Sequence, residues 1–270
     1  MIEACSLASG SNGNAFFIKT GPDAFLIDAG ISCKQICLRL EHIQKQVSDI
    51  KGIFITHEHS DHVKGLRVLL KRYPIPVYIT KKTYARLDLT ISDSCLNLIK
   101  SDDTLRINST TIRSLPKCHD AVDPALFSFY YKDKKISVVT DAGIACDNVI
   151  AAVRGADVLF LESNYDETML RDGFYPYPLK KRIDSDHGHL SNIHAASLIR
   201  EHASPNLECV FLSHLSENNN TPETALSTFQ SIIEEREDLG GLKTILTSRC
   251  EVSPKIIIDP AAAGYLPEPG

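Results

Sequence analysis

Several features that would place this chain in a specialised class are missing from its sequence. No stretch reaches the roughly 18 consecutive apolar residues of a membrane-spanning helix. No C-x-x-C pair occurs among the eight cysteines, so neither a zinc finger nor a disulfide framework is indicated. The first residues show no basic segment followed by an apolar one, so no signal peptide is expected. These absences predict a protein of the cytoplasm, where reducing conditions keep thiols free.

Positive charge is not in excess either. The 270 residues include 29 Lys and Arg against 34 Asp and Glu, which gives a formal net charge of −5. The chain as a whole therefore does not attract polyanions, and a nucleic-acid partner would have to be held by a local basic patch or by metal ions. With 43% hydrophobic and 23% charged residues, the composition is that of an ordinary globular protein with a large core.

Short apolar runs alternate with amphipathic segments along both halves of the chain. The predicted strands cover residues 2–8, 15–19, 24–27, 52–55, 77–80, 110–115, 127–131, 135–140, 158–161 and 209–212, and the predicted helices cover 32–46, 62–71, 192–201 and 222–235. This alternation predicts sheets covered by helices. No linker divides the chain, so we predict one domain over residues 1–258 and a poorly ordered, proline-rich tail over 259–270.

The sequence does contain a dense group of metal-ligand side chains in the run Thr-His-Glu-His-Ser-Asp-His at residues 56–62. The apolar run 52–55 comes directly before it and predicts a buried strand. A loop that leaves a strand can turn imidazoles and a carboxylate toward an ion, and zinc accepts both ligand types. A histidine-rich surface loop is the alternative, but the pattern His-x-His-x-Asp-His rarely arises by chance. The run predicts a metal site built from His57, His59, Asp61 and His62.

Four more ligand-type side chains each follow a predicted strand, namely Asp28, His119, Asp141 and His214. Taken singly, each also fits a cap or a turn residue. Because loops at strand ends build sites on a rigid scaffold, the four together with the histidine-rich run are better explained as one site.

This ordered set of residues resembles the five motifs of the metallo-β-lactamase-fold hydrolases, and the resemblance extends from Asp28 to His214. It implies an α/β (α+β) fold, a four-layer αβ/βα sandwich of two mixed sheets with two divalent metal ions at one edge. It implies that one metal is held by His57, His59 and His119, the other by Asp61, His62 and His214, with Asp141 bridging both. It further implies that Asp28 orients the histidine-rich loop from behind the ligands.

The resemblance also implies the chemistry. Paired metals clamp the attacking and leaving oxygens, and a hydroxide held between them is the nucleophile, which Asp61 orients or deprotonates. Diiron redox members of the superfamily have a carboxylate at the position of His59. A histidine there favours zinc, with manganese as the alternative ion.

Local features narrow the substrate class. Asp141 stands where many lactamases have cysteine, and the 56 residues after His214 are too few for the helical domain of glyoxalase II, so lactams and thioesters are disfavoured. Glu162 and His189 resemble the pair that phosphodiesterases of the tRNase Z type place beside the metals, although the histidine before that glutamate is absent here. The pair implies that His189, supported by Glu162, stabilises the departing oxygen. An ordinary residue at the start of a helix is the alternative for His189.

Four stretches, 7–14, 175–183, 188–192 and 213–219, resemble the bacterial YycJ (WalJ) family of metal-dependent hydrolases with exonuclease activity on DNA. The loop after the first strand can cradle an anion, and the basic stretch beside Tyr175 and Tyr177 can bind phosphates and stack bases. The predicted substrate-binding residues are Ser9, Ser11, Asn12, Asn14, Lys180 and Arg182. A hairpin turn and a solvated basic loop are the respective alternatives.

We therefore predict a two-metal phosphodiesterase, a nuclease acting on DNA. A small-molecule hydrolase acting on a cyclic nucleotide, phosphonate ester, thioester or lactone is the second hypothesis. A metal-stabilised binding module without activity is the third, and a full ligand set with open coordination positions argues against it. No membrane partner is expected, and the sequence does not indicate an oligomeric state.

Overall fold

The computed structural model, which describes residues 1–260, contains two seven-stranded sheets packed face to face. The strands are β1 (Ile2–Ala8), β2 (Ala15–Thr20), β3 (Asp23–Ile27), β4 (Ile50–Phe54), β5 (Val77–Thr80), β6 (Leu96–Ile99), β7 (Thr104–Ile107), β8 (Thr110–Pro116), β9 (Ala125–Tyr131), β10 (Lys134–Val139), β11 (Val158–Glu162), β12 (Cys209–Ser213), β13 (Lys243–Leu246) and β14 (Ile256–Ile258). The helices are α1 (Cys33–His42), α2 (Ser60–Val63), α3 (Leu66–Arg72), α4 (Lys81–Arg86), α5 (Asp147–Val153), α6 (Glu167–Asp172), α7 (Tyr177–Ile183), α8 (Asn192–His202) and α9 (Pro222–Ile233).

Both sheets are mixed. The first has the order β14-β1-β2-β3-β4-β5-β6 and the second the order β13-β12-β11-β10-β9-β8-β7. Strands β3 to β6 are parallel to one another, as are β10 to β13, and the remaining pairs are antiparallel. Because parallel neighbours end at the same edge, the loops after β3 and β4 lie together in the first sheet, as do those after β10, β11 and β12 in the second.

The core between the sheets is aromatic. Phe16 of the first sheet lies 5.0 Å, ring centre to ring centre, from Phe160 of the second, and Phe54 lies 5.2 Å from Phe127. Aromatic pairs at this spacing contribute about 0.5–1.5 kcal/mol beyond the burial of their area. These contacts fix the two sheets relative to each other, and hence the loops at their common edge.

Helices cover the outer face of each sheet. Helix α1 shows why one face is buried: Cys33, Ile36 and Leu40 lie at helical spacing and point toward the sheet, and the Ser32 side chain caps the helix by accepting from the Gln35 N–H. Helices α1 and α3 pack on the first sheet, and α5, α8 and α9 pack on the second. The predicted four-layer sandwich of two mixed sheets is confirmed.

Two predicted helix boundaries were wrong. The helix predicted over residues 62–71 is interrupted at Gly65, where the backbone N–H donates to the Ala29 carbonyl at 2.8 Å, so α2 and α3 are separate. The helix predicted over 32–46 ends at His42. A short 3₁₀ helix (Val47–Asp49) and then strand β4 follow. In both places the apolar spacing continues past the end of the helix.

The predicted single domain over residues 1–258 stays a prediction. In its favour, β14 returns to the first sheet, where Ile258 pairs with Ile2 of β1. Of the predicted tail over 259–270, residues 261–270 lie outside the described residues. Among the helices of residues 1–260, none is long and apolar enough to cross a membrane.

Candidate active site

The seven predicted metal ligands lie together at the common edge of the sheets. They form two groups, in each of which the donor atoms lie within 4.8 Å of one another. The first group is His57, His59 and His119, and the second is Asp61, His62, Asp141 and His214. In both groups some donors follow β4 of the first sheet, either in the loop (His57, His59) or in α2 (Asp61, His62), and the others come from loops of the second sheet.

Carboxylates behind two of the imidazoles determine which ring nitrogen faces the site. The Nδ1 of His62 lies 2.7 Å from Oδ2 of Asp28, and the Nδ1 of His214 lies 2.8 Å from Oε1 of Glu162. The Nε2 atoms are thereby left for the centre of the group, an arrangement typical of metal-binding histidines. Two other Nδ1 atoms have oxygen partners on the outside, His57 with Thr56 Oγ1 at 2.9 Å and His119 with the Gly188 carbonyl at 3.1 Å.

Buried polar atoms without partners indicate what these groups can hold. Oδ2 of Asp141 and Nε2 of His214 are both buried and lack a hydrogen bond. Leaving such atoms unpaired costs about 1–3 kcal/mol each, and a cation would satisfy both. The Asp141 carboxylate faces both groups, with Oδ1 3.9 Å from His119 Nε2 and Oδ2 3.3 Å from His62 Nε2. The donor sets of the two groups, and the unpaired atoms of the second, therefore fit divalent cations.

The loops after β3 and β10 have the same construction. Each has Asp-Ala-Gly within its first residues, and Asp28 and Asp141 have positive φ angles of 62° and 52°. His214, after β12, has a φ of 57°. Left-handed backbone costs a non-glycine residue on the order of 1–3 kcal/mol, and it is found where surrounding structure enforces it at functional sites. The strain turns these three side chains back over the strand ends.

Gly30, the glycine of the first Asp-Ala-Gly, is in contact with the histidine-rich loop, and we expect Gly30→Ala to displace that loop. A Cβ at this position would lie 1.6 Å from the carbonyl oxygen of Asp61. We expect loss of metal from the group containing Asp61 and a melting temperature lower by several degrees, as overpacking costs about 1–3 kcal/mol. Metal analysis and thermal melting measure both. Gly241→Ala, whose Cβ would meet nothing within 4 Å, is the control, and full metal content in Gly30→Ala would contradict the prediction.

Two imidazoles of the first group, those of His57 and His119, can bind a cation without losing a proton. Burial lowers the pKa of His57 well below its ordinary value, and burial likewise lowers the pKa of His119 to about 4. Both rings are therefore neutral at neutral pH and offer a lone pair without first losing a proton.

The second group holds protons instead. Burial alone would lower the pKa of His62, but the carboxylates of Asp141 and Asp28 outweigh it and raise that pKa well above its ordinary value. For His214, Asp141 and its neighbouring carboxylates outweigh burial in the same way and raise the pKa to about 10. Two imidazolium ions among carboxylates are thus the state of this group without metal, and a cation would have to displace their protons.

Glu162 ties the second group to the segment after α7. It is fully buried, its Oε1 accepts from His189 Nδ1 at 2.8 Å as well as from His214, and its Oε2 accepts from the N–H groups of Ala142 and Leu190. Burial would raise the pKa of Glu162, but His189 outweighs it and lowers the pKa to about 2. Glu162 is therefore an ionised acceptor that orients His189 and His214 at once.

His189 is partly exposed and lines a cavity of about 260 Å³ beside the two groups. Ser11, Tyr175 and Arg182 line the same cavity. The guanidinium of Arg182 pairs with the carboxylate of Asp120, the residue next to His119. The structure thus brings an acid–base side chain and a cationic side chain to one opening.

The predicted anion-binding loop divides into two parts. Ser9 and Asn14 are buried behind the donors: Ser9 Oγ accepts from the His214 N–H at 2.8 Å, and Asn14 Nδ2 lies 3.3 Å from Asp61 Oδ2. Ser11 and Asn12 are exposed, Ser11 at the cavity of His189 and Asn12 at a neighbouring cavity. Lys180 lies away from the donors, where its Nζ donates to the Arg171 carbonyl. The roles of all these residues in substrate binding stay predictions.

Two residues at the site were missed by the sequence analysis. Lys117 is buried beneath the donor groups and donates to the Thr140 carbonyl, directly before Asp141. Asn164 Nδ2 donates to the His214 carbonyl at 2.7 Å and supports the strained turn there. An isolated lysine or asparagine near a strand end gives no sign in the sequence that the fold will bury it.

Comparison with known proteins gives one family and close relatives. Residues 8–177 match the model of the metallo-beta-lactamase superfamily. The chain is 34% identical over 233 residues to exodeoxyribonuclease YycJ of Bacillus anthracis, covering 85% of this chain and 88% of the relative. It is 36% identical over 239 residues to exodeoxyribonuclease WalJ of Streptococcus pneumoniae serotype 2, covering 87% and 88%. Among solved structures, the metallo-beta-lactamase fold protein YhfI of Bacillus subtilis is similar in fold, with a TM-score of 0.71, 14% identity and coverage of 93% and 98%.

Proposed function

Because this chain belongs to the metallo-β-lactamase superfamily, and within it to the group of YycJ and WalJ, we propose that this metal-dependent hydrolase is an exonuclease that cleaves phosphodiester bonds of DNA. The observation that carries the proposal is the pair Glu162 and His189, held at 2.8 Å beside the donor groups and open to a cavity. An acid–base residue at this place is needed to release an oxygen leaving group. The names of the two relatives support DNA as the substrate.

The seven donors would hold two divalent cations, with Asp141 shared between them. When bound, such ions lower the pKa of water to about 7 and polarise phosphoryl oxygens. Three imidazoles in the first group favour zinc, and the oxygen donors of the second group also suit manganese.

Asp61 is the residue that would orient the attacking water. Burial would raise its pKa, but the neighbouring imidazoles of His214 and His62 outweigh burial and keep the pKa well below the ordinary value. The carboxylate therefore stays ionised and can only accept. Asn14 Nδ2 steadies it from behind at 3.3 Å.

His189 would protonate the departing oxygen. Glu162 holds its Nδ1, so the Nε2 is the atom left to donate into the cavity. Arg182 and Ser11 line that cavity and would contact the phosphate, with the Arg182 guanidinium shared with Asp120. Lys180 would contact phosphates farther along the strand.

The test is hydrolysis of end-labelled single- and double-stranded DNA with added zinc or manganese, beside bis(p-nitrophenyl) phosphate and an acyl-glutathione thioester. We expect mononucleotides from DNA, and a kcat about 10²–10⁴-fold lower in His189→Ala with the metal content unchanged. His187→Ala, an exposed histidine two residues earlier, is the matched control. Turnover of the thioester alone, or undiminished turnover of DNA by His189→Ala, would refute the proposal.

A small-molecule phosphodiesterase is the second candidate. The cavity at His189, about 260 Å³, has the size of a small ligand rather than of a long duplex, and the net charge of −5 does not favour polyanions. Preference for a cyclic nucleotide over DNA in the same assay would select this second candidate.

The cytoplasm is the compartment that we propose, supported by the eight unpaired thiols.

A further inference from the structure

Two aromatic rings project from the segment that contains α6, α7 and their connection, which we name the aromatic arm (residues 167–183). The side chains of Phe174 and Tyr177 are 78% and 76% exposed. Within residues 1–260 they are the most exposed of the large hydrophobic side chains, and the next is Ile257 at 55%. Exposing two rings three positions apart costs free energy in water, so a partner that covers them is expected.

Neighbouring residues of the arm restrict the conformations that Phe174 and Tyr177 can adopt. Tyr177 lies between Pro176 and Pro178, whose rings restrict the backbone on either side. Phe174 packs edge-on against Tyr175, with ring centres 5.1 Å apart, and the Tyr175 hydroxyl accepts from Asn218 Nδ2 at 2.9 Å. Asn218 lies in the loop that begins with His214, so the arm is anchored to the site. Rings fixed in this way lose little freedom when a ligand stacks on them.

The charge of the arm is opposite to that of the whole chain. The arm includes four basic side chains and two acidic ones, although the chain has a net charge of −5. Three basic side chains, Arg171, Lys180 and Lys181, line a groove of about 550 Å³ together with Tyr177 and with the carboxylates of Glu167 and Asp184. On the other side of α7, Arg182 lines the cavity of His189. One short helix therefore lies between the candidate active site and a groove that contains an aromatic ring and an excess of one basic side chain.

We propose that the aromatic arm is the docking surface for the unpaired end of a DNA strand. This inference rests on the proposed function and adds to it the form of the substrate. Bases stack on Phe174 and Tyr177, phosphates follow Lys180 and Lys181, and the phosphodiester next in line reaches His189. Stacking on exposed rings requires bases whose faces are free, which a duplex does not offer, and every base has such a face. The arm therefore selects single-stranded ends without reading their sequence.

The first experiment removes the rings. Binding of fluorescein-labelled, phosphorothioate-linked single-stranded DNA is measured by anisotropy with wild type, Phe174→Ala, Tyr177→Ala and the double variant. We expect about tenfold weaker binding for each ring lost, unchanged binding of blunt duplex, and unchanged hydrolysis of bis(p-nitrophenyl) phosphate. Phe174→Tyr and Tyr177→Phe should bind as wild type does. Ile257→Ala and Leu98→Ala, exposed aliphatic residues on other surfaces, are the controls.

The second experiment removes the bases instead. Replacing successive bases of the strand by abasic sites should weaken binding to the wild type at the positions that stack on the rings. At the same positions, the abasic sites should leave the affinity of the double variant unchanged. Equal binding of the double variant and the wild type overturns the inference while DNA hydrolysis by the wild type leaves the proposed function intact. A wild type that neither binds nor hydrolyses DNA overturns both. A wild-type dimer that the double variant converts to monomers, with DNA binding unchanged, shows an interface between copies and also overturns the inference.

Discussion

Asp141→Asn is expected to lower the hydrolysis of DNA and of bis(p-nitrophenyl) phosphate at least about 10³-fold, the rate equivalent of losing roughly 4 kcal/mol of charge stabilisation. The buried carboxylate faces both donor groups, with one oxygen toward His119 and the other toward His62. An amide keeps the shape but replaces one oxygen by an NH₂ group, which cannot bind a cation. We expect at most one ion per chain by metal analysis, against the two that we expect for the wild type.

The melting temperature separates loss of metal from loss of fold. Without metal, the Asp141→Asn variant should still melt in one cooperative transition, below the metal-free wild type because the carboxylate that faces the imidazolium ions of His62 and His214 is gone. Asp88→Asn, at an exposed carboxylate, should leave metal content and turnover unchanged. Two ions per chain with turnover within tenfold of wild type in Asp141→Asn would show that this carboxylate is not shared between cations.

The affinity for the second cation is expected to rise with pH, by about 100-fold per unit where His62 and His214 are both protonated in the absence of metal. The pKa of His62 is raised well above its ordinary value, and that of His214 is raised to about 10. Below those values both rings are protonated, so binding at this group must release two protons, and each proton contributes a factor of ten per unit. His57 and His119, with lowered pKa values, release none at neutral pH.

Calorimetric titration in buffers of different ionisation enthalpy counts the released protons directly. We expect one cation to bind without release from His57 and His119, and the other to release about two protons near pH 7. The Asp28→Asn variant should release fewer, because removing that carboxylate lets burial lower the pKa of His62. Binding of both cations without proton release, or affinity that falls as pH rises, would contradict the protonation states inferred for His62 and His214.

The donor residues could be predicted from sequence because their chemistry is local. The histidine-rich run is compressed into seven positions, and Asp141 and His214 each follow an apolar run that a strand accounts for. The Asp-Ala-Gly sequences at Asp28 and Asp141 mark the same strained turn after equivalent strands. Here the pattern of a short segment and the structure that it adopts agree.

Features that depend on distant parts of the chain could not be predicted. The strands β6, β7, β13 and β14 have three or four residues each, too few for a periodic pattern, and pairing with longer neighbours stabilises them. The break at Gly65 exists because that glycine lies against the loop after β3. The burial of Lys117 and the exposure of Phe174 follow from which surfaces other elements cover, and periodicity carries no information about that.

Both donor groups span the boundary between the sheets, since each combines side chains from the segment between β4 and α3 with side chains of the second sheet. A cation bound to either group would cross-link the two halves of the molecule without a covalent bond. Removing the cations with a chelator would then abolish turnover and, at the same time, break the links between the loops of the two sheets at this edge. The phenylalanine contacts between the sheets would keep the rest of the two sheets packed together. The concentration of available metal would therefore determine the stability of the contact between the sheets as well as the rate of hydrolysis.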